Sequence, residues 1–178
     1  MYRIDKLIKL DRKLYHTNDL AIAWNLNNKN TLYTAIKRYI KKGVLIPIYK
    51  GLYSTVPLSQ LNPTDLGIAV IHKYAYLSTE SVLVEKGIIV QNIYYTTFIS
   101  SLSKKIKAGN REFLYRKLKN KFLYNPLGIE NQNGVFVATP ERAIADMLYF
   151  DPKYHFDFSE SIDFNRVKQF QKEIGYIC

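Results

Sequence analysis

Side chains that can hydrogen-bond phosphate groups and the edges of nucleic-acid bases are concentrated in residues 28–42, with the sequence N-K-N-T-L-Y-T-A-I-K-R-Y-I-K-K. Asn and Arg side chains can each form paired hydrogen bonds with a base edge. Lys, Arg and Thr side chains can donate to phosphate oxygens. These residue types, gathered in one short run, indicate recognition of a nucleic acid rather than catalysis.

Residues suited to covalent or metal chemistry form no recognisable pattern in this sequence. The three histidines, His16, His72 and His155, are far apart and lack the spacing of metal ligands. Metalloprotease, phosphate-binding-loop and dinucleotide-binding motifs do not occur. A single cysteine, Cys178, cannot form an internal disulfide framework or a cysteine zinc site. We therefore predict a protein that is not an enzyme and that needs no cofactor and no metal.

An amphipathic helix is predicted within residues 28–42. At about 100° per residue, its apolar and polar side chains separate onto two faces. The inward face holds Leu32, Ala35, Ile36, Tyr39 and Ile40. The outward face holds Asn30, Thr34, Lys37, Arg38 and Lys41. Asn28 and Asn30 are candidate caps at the start of this helix. Gly43 stands where a left-handed residue would end it.

A short β-hairpin is predicted directly after this helix. Residues 44–48 and 52–55 have strand composition, and Lys50 and Gly51 supply a turn between them. Pro47 has no backbone N–H, so it fits only an edge strand. A basic helix followed by a hairpin is the layout of a recognition helix with its wing.

Two shorter helices are predicted before the basic helix. Residues 4–15 have helical spacing of apolar side chains, and Thr17 is a candidate cap for a second helix that contains Leu20 and Trp24. Residues 25–28 are a polar break of turn length. This order matches a helix-turn-helix. A solvated surface helix could also carry lysines, so the prediction of a winged helix-turn-helix DNA-binding domain in residues 1–56 depends on the whole order of elements.

Positive charge is localised in two blocks of the chain, whose net charge is +11. Residues 1–56 hold eleven Lys and Arg against three Asp and Glu, a net of +8, and residues 100–121 hold eight against one, a net of +7. A local positive field attracts phosphates and makes binding salt-dependent. RNA or an anionic membrane surface would also be attracted, so the charge predicts a class of partner and not a nucleotide sequence.

The rest of the chain has a different pattern, and the overall fold class is predicted to be α+β. Residues 57–63 are the candidate linker, and residues 64–178 are predicted to form a small α+β domain with a short antiparallel sheet. Helices are expected at residues 65–76, 79–86, 140–149 and 163–174. Strands are expected at residues 93–101, 104–107, 111–118 and 135–138. His72 is expected to be buried within the first of these helices.

The basic block at residues 104–121 has two interpretations. If it forms a hairpin, its lysines can be a solvated sheet edge that resists aggregation. The same lysines can instead contact phosphates or dock an acidic partner. The sequence leaves both interpretations open.

Three segments resemble motifs of the AbiEi-type antitoxins, a family of antitoxins and repressors from abortive-infection (type IV) toxin–antitoxin systems. They are residues 76–89, Y-L-S-T-E-S-V-L-V-E-K-G-I-I; residues 137–149, V-A-T-P-E-R-A-I-A-D-M-L-Y; and residues 40–53, I-K-K-G-V-L-I-P-I-Y-K-G-L-Y. The third segment departs from the family wing, because Pro47 and Tyr49 stand where basic residues are usual and Lys50 replaces an Arg.

The resemblance implies a repressor of its own operon promoter that counters a partner toxin of the nucleotidyltransferase class in phage defence. The residues alone give the two domain motifs a structural interpretation, in which Arg142 and Asp146 pair on a helix surface and Ser78 caps a helix. The alternative functions are a protein–protein antitoxin module without strong DNA binding and an RNA-acting protein that uses residues 104–121.

Double-stranded DNA is therefore the predicted partner. Six residues are predicted to face the major groove: Lys29, Asn30, Thr31, Thr34, Lys37 and Arg38. Three are predicted to contact phosphates: Lys41, Lys42 and Lys50. No apolar run approaches the about 20 residues that span a membrane, and no signal peptide is recognisable. We therefore predict a cytoplasmic protein with no membrane partner.

Overall fold

The computed structural model describes residues 3–177 and has an α+β fold, which confirms the predicted class. Cys178 lies outside the described residues. The chain divides into two compact units, one ending at Val70 and the other beginning at Ile71. The segment proposed as a linker, residues 57–63, holds a 3₁₀ turn at Leu58–Gln60 and the first residue of a helix. The domain boundaries at residues 56 and 64 stay a prediction.

The first unit contains short helices and a three-stranded sheet. Its elements are α1 (Arg3–Lys9), β1 (Leu14–His16), α2 (Thr17–Trp24), α3 (Lys29–Lys41), β2 (Ile46–Tyr49), β3 (Leu52–Ser54) and α4 (Pro63–Ile71), which ends at the boundary between the units. The strand order is β1-β3-β2, and both pairs are antiparallel. This arrangement is compatible with a winged helix-turn-helix. Pro47 lies on the edge strand β2, as its missing N–H predicts.

The core of the first unit is formed by the faces that periodicity identifies. Leu32, Ala35, Ile36 and Tyr39 are buried and Ile40 is half-buried, so the predicted inward face of α3 is confirmed. The rings of Trp24 and Tyr39 are 5.1 Å apart. This packing fixes the rotation of α3 and leaves its polar face in solvent.

The predicted helix at residues 4–15 ends early. Helix α1 stops at Lys9, and Leu14 to His16 pair instead with β3. The hydroxyl of buried Tyr15 donates to the carbonyl oxygen of Leu7 at 2.9 Å. Strand pairing satisfies the backbone groups of this segment better than an isolated last helical turn would, so tertiary contacts override the helical pattern.

The second unit is built around a six-stranded sheet. Its elements are β4 (Ala75–Leu77), α5 (Glu80–Glu85), β5 (Thr96–Ser100), β6 (Lys104–Ala108), β7 (Arg111–Lys117), α6 (Asn120–Leu123), β8 (Ile129–Gln132), β9 (Val135–Ala138), α7 (Pro140–Phe150), a 3₁₀ turn (Ser159–Ser161) and α8 (Phe164–Ile174). The order is β6-β7-β5-β4-β9-β8. Because β5·β7 and β4·β9 are parallel pairs, the prediction of a short antiparallel sheet was wrong.

The segment at residues 65–76 also differs from its prediction. The helix ends at Ile71, His72 has a left-handed φ of 52° and is exposed, and Tyr76 lies in β4 in the middle of the sheet. His72 is therefore not a buried histidine. A left-handed residue breaks the helix. Ala75, Tyr76 and Leu77 pair instead with β5, and Leu77 also pairs with β9.

Arg142 and Asp146 of α7 are both completely buried. The Nε atom of Arg142 donates to Oδ1 of Asp146 at 2.9 Å. Its Nη1 atom donates to the carbonyl oxygen of Leu127 at 3.0 Å, and Nη2 donates to the hydroxyl of Tyr76 at 2.9 Å. The prediction of a surface pair was wrong, because the sheet and the loop after α6 enclose both side chains.

Three hydroxyl groups complete this buried network. Ser78 and Tyr76 donate to Oδ2 of Asp146 at 2.8 and 3.0 Å, and Tyr176 donates to Oδ1. Ser78 is therefore not the helix cap that was predicted; Thr79 precedes α5. Burial raises the pKa of Asp146, and the Arg142 charge and the hydroxyl donors oppose that increase.

Alkaline pH should destabilise the folded protein through the same network. Burial and the neighbouring Asp146 charge raise the pKa of Tyr76 and of Tyr176 well above 10. Above pH about 10 the unfolded chain releases these protons and the folded chain keeps them, so stability that is complete at lower pH is lost as pH rises. The expected slope is about 1.4 kcal/mol per pH unit for each retained proton.

Urea unfolding between pH 8 and 11 measures this slope. Tyr176→Phe removes one retained proton and should make the decline shallower, whereas exposed Tyr94→Phe is the control. An unchanged slope in Tyr176→Phe would contradict this assignment.

Candidate nucleic-acid interface

Residues that flank helix α3 determine where it begins and where it ends. The Oδ1 atom of Asn28 accepts a hydrogen bond from the backbone N–H of Thr31 at 3.1 Å, so Asn28 is the N-cap and Asn30 lies inside the helix. Gly43 has a φ of 70° just beyond the C-cap Lys42. The predicted cap at Asn28 and the end at Gly43 are confirmed.

The residues predicted to contact DNA are all solvent-exposed. They are Lys29, Asn30, Thr31, Thr34, Lys37, Arg38, Lys41, Lys42 and Lys50. Helix α3 contains no acidic residue, so no carboxylate within the helix offsets its positive charge. Tyr33, which was not predicted as a site residue, is 49% exposed on the same helix. Lys50 lies apart from the others, in the turn between β2 and β3.

Residues 25–28 connect α2 to α3. Asn25 ends α2 in a left-handed conformation with a φ of 52°, and its N–H donates to Ile22 O at 3.1 Å.

The start of α2 differs from its prediction by one residue. Thr17 was predicted to cap α2, but Thr17 is the first helical residue and His16 is the N-cap. The carboxylate of Asp19 accepts the N–H of His16 at 2.7 Å.

The hairpin turn is fastened to the start of α2. The backbone N–H and the hydroxyl of Thr17 donate to the carbonyl oxygen of Gly51 at 2.9 and 3.2 Å. Gly51 has a φ of 70°, and a Cβ at this position would lie 3.1 Å from the Thr17 hydroxyl. Glycine is therefore needed here. The turn presents one exposed lysine, Lys50, and the register of β2 shifts between Pro47 and Tyr49.

A shallow depression of about 320 Å³ adjoins the outward face of α3. It is lined by Arg3, Asn30, Thr31, Thr34, Ala35 and Arg38. The indole Nε1 of Trp24 donates to the backbone oxygen of Arg3 at 3.2 Å, which holds the start of α1 beside the helix-turn-helix. Arg3 was not among the residues predicted to contact DNA, because no local pattern in the sequence connects it with α3.

The structure places the basic residues of the second block, residues 104–121, in two different environments. Lys104, Lys105 and Lys107 are exposed on the edge strand β6, where lysines discourage pairing with another sheet. Lys107 forms an exposed ion pair with Glu112, whereas the ion pair of Arg116 with Glu80 is largely buried. The Arg116 guanidinium also lies 5.4 Å from the Phe150 ring centre. Arg116 is thereby committed to an internal contact. The docking and phosphate-binding roles of the other lysines stay predictions.

Residues 3–177 contain neither a metal-binding cluster nor a membrane-spanning helix. Within these residues no cluster of three or more His, Cys, Asp or Glu side chains could hold a metal ion. None of their helices is both long and apolar enough to cross a membrane.

No protein-family model and no curated protein matches this chain. The fold is similar to the crystal structure of the RV2827C protein from Mycobacterium tuberculosis, with a TM-score of 0.59 and 11% sequence identity. The similarity covers 95% of this chain and 69% of that one. At this level of identity the comparison shows the fold alone. The resemblance to AbiEi-type antitoxins therefore stays a prediction based on the three motifs.

Proposed function

We propose that this protein is a sequence-specific DNA-binding repressor that acts on its own promoter as the antitoxin of a toxin–antitoxin operon. The observation that carries the DNA-binding part is the outward face of α3. It is exposed, basic and free of acidic residues, and it belongs to a unit with helices and a hairpin in winged helix-turn-helix order. The three AbiEi-like motifs support the antitoxin part.

The contacts follow from the length and chemistry of α3. Its 13 residues span about 20 Å at 1.5 Å per residue, and a helix fits the major groove. Asn30, Thr34, Lys37 and Arg38, with Lys29 and Thr31, reach base edges. Lys41, Lys42 and Lys50 contact phosphates, which position the protein without reading sequence.

Titration of the protein against its own upstream DNA and a scrambled duplex, at several salt concentrations, tests the proposal. We expect tighter binding to the upstream DNA and a linear fall of log affinity with log salt, with a slope near −0.9 for each phosphate contacted. A combined Lys41→Ala, Lys42→Ala and Lys50→Ala variant should reduce the magnitude of that slope by about 2.7. Equal affinity for both duplexes would overturn sequence-specific repression.

A matched control removes the same charge from the other unit. Changing Lys104, Lys105 and Lys107 together to Ala removes three exposed lysines from β6. This variant should keep the slope of the wild type. If it loses affinity in place of the first variant, the basic strand and not α3 contacts the nucleic acid, and titration with RNA then tests the RNA-acting alternative.

The second candidate function is a protein–protein antitoxin whose winged unit binds DNA weakly. The hairpin favours it, because Pro47 and Tyr49 occupy positions that are basic in AbiEi-type wings and leave Lys50 as the basic residue of the turn. Co-expression with a nucleotidyltransferase-like product of the neighbouring gene distinguishes the two functions. Rescue from toxicity by a variant that no longer binds DNA would show that antitoxicity needs no repression.

A further inference from the structure

We propose that the depression beside α3 binds one phosphate group of the DNA backbone, with Arg3 as the residue that contacts it. This inference rests on the proposed function and adds a contact from α1 to those of α3 and the hairpin. Arg3 would be a positioning residue: it would fix where the recognition helix sits along the duplex and would read no base.

The size and lining of the depression suit a phosphate. Its volume of about 320 Å³ leaves room for a phosphate group and several water molecules at about 30 Å³ each. Four of its lining residues carry hydrogen-bond donors: the guanidinium groups of Arg3 and Arg38, the amide of Asn30 and the hydroxyl of Thr34. The Arg3 guanidinium can donate to a phosphate oxygen, while Arg38 adds positive charge beside it and keeps its donors for a base edge.

The electrostatics of the depression also favour an anion. Arg3 and Arg38 are permanently charged, and they line the same small surface. Among residues 3–177, neither guanidinium lies within ion-pair distance of a carboxylate. Asp5 is two residues from Arg3 on α1, a spacing at which helical side chains do not face each other. Two like charges brought together repel, and an anion between them relieves the repulsion.

The position of the depression places this phosphate next to the bases that α3 reaches. Thr34 and Arg38 border the depression and also belong to the outward face of α3. The hydrogen bond from Trp24 to the Arg3 carbonyl anchors the backbone of Arg3, and Trp24 is only 4% exposed. The start of α1 is thus held in place before DNA arrives, so little ordering is needed on binding.

Arg3→Ala tests the proposal in the intact protein. It removes the side chain and keeps the carbonyl that Trp24 binds. We expect affinity to fall alike for the upstream and scrambled duplexes, and the salt slope to shrink in magnitude by about 0.9. Arg3→Lys should restore the slope. Lys9→Ala, an exposed lysine at the opposite end of α1, is the matched control and should leave the slope near that of the wild type.

Two results would overturn the proposal: a wild-type slope in Arg3→Ala, or a loss confined to the upstream duplex. Thermal unfolding followed by circular dichroism separates these results from misfolding. Failure of the proposed function looks different, because the wild-type protein itself would then bind the two duplexes equally.

A second measurement needs no DNA. Inorganic phosphate is titrated into labelled protein, and the Nε–Hε resonances of the arginines are followed by NMR. We expect the Arg3 and Arg38 resonances to shift with phosphate and not with sodium chloride at matched ionic strength, and Arg38 to lose most of its shift in Arg3→Ala. Equal shifts in the two salts, or none, would reject an anion site at this depression.

Discussion

Arg142→Met is expected to lower the free energy of unfolding by about 3–5 kcal/mol, the usual cost of removing one partner from a buried ion pair. Arg142 and Asp146 are both fully buried, so the variant leaves the Asp146 carboxylate without its charge partner. The carbonyl oxygens of Phe122, Asn125 and Leu127 also lose a donor. Urea denaturation of the intact protein measures the loss.

A more exposed ion pair between α8 and α7 offers a matched control. Arg166 lies 3.4 Å from Glu141 of α7, with side chains 59% and 25% exposed. Solvent screens this pair, so Arg166→Met should cost less than about 1 kcal/mol. If Arg142→Met and Arg166→Met lowered the free energy of unfolding by similar amounts, burial would not determine the cost of losing an arginine.

Replacing both buried charges measures the coupling free energy between Arg142 and Asp146. The double variant with Arg142→Met and Asp146→Leu leaves no lone buried charge, so its loss should be smaller than the sum of the two single losses. Strict additivity would show that Arg142 and Asp146 stabilise the unit independently, and would contradict a coupled pair.

Arg38→Ala is expected to weaken binding to the upstream duplex about 5- to 150-fold, the equivalent of 1–3 kcal/mol for one paired base contact. The scrambled duplex should lose much less, because it lacks the matching base. Arg38 is exposed on α3, with its guanidinium carbon 5.7 Å from the Tyr39 ring centre. Fluorescence anisotropy with both duplexes gives the ratio.

Lys41→Ala is the comparison for this prediction. Lys41 lies on the same exposed face one turn later, and as a phosphate contact it should weaken both duplexes by the same factor. If Arg38→Ala also weakens both equally, Arg38 contacts the backbone and base recognition lies elsewhere on α3.

Local periodicity made α3 predictable from the sequence. Its apolar and polar residues alternate with the helical period, its cap is an adjacent Asn28, and its end is marked by Gly43. Each of these signals acts within about one turn of the residue concerned. The sequence therefore predicts that Asn30, Thr34, Lys37, Arg38 and Lys41 are exposed, and the structure confirms their exposure; their contacts with DNA stay a prediction.

The features that were missed depend on residues far apart in the chain. Arg142 and Asp146 have the same spacing whether they are exposed or buried, and only contacts with Tyr76 and Tyr176 decide between the two cases. Tyr76 itself was assigned to a helix, because its pairing with β5 on one side of β4 is not visible locally. Arg3 meets α3 only through the fold of the first unit.

The hydrogen bonds from Thr17 to the carbonyl oxygen of Gly51 have a consequence for the heat-capacity change of DNA binding. Because the hairpin turn is fastened to α2, which packs in the same core as α3, the contacting surface is already assembled in the free protein. Binding would then bury surface without folding a segment. Calorimetry should accordingly give a heat-capacity change that reflects only the docked area, without the larger negative value that accompanies coupled folding.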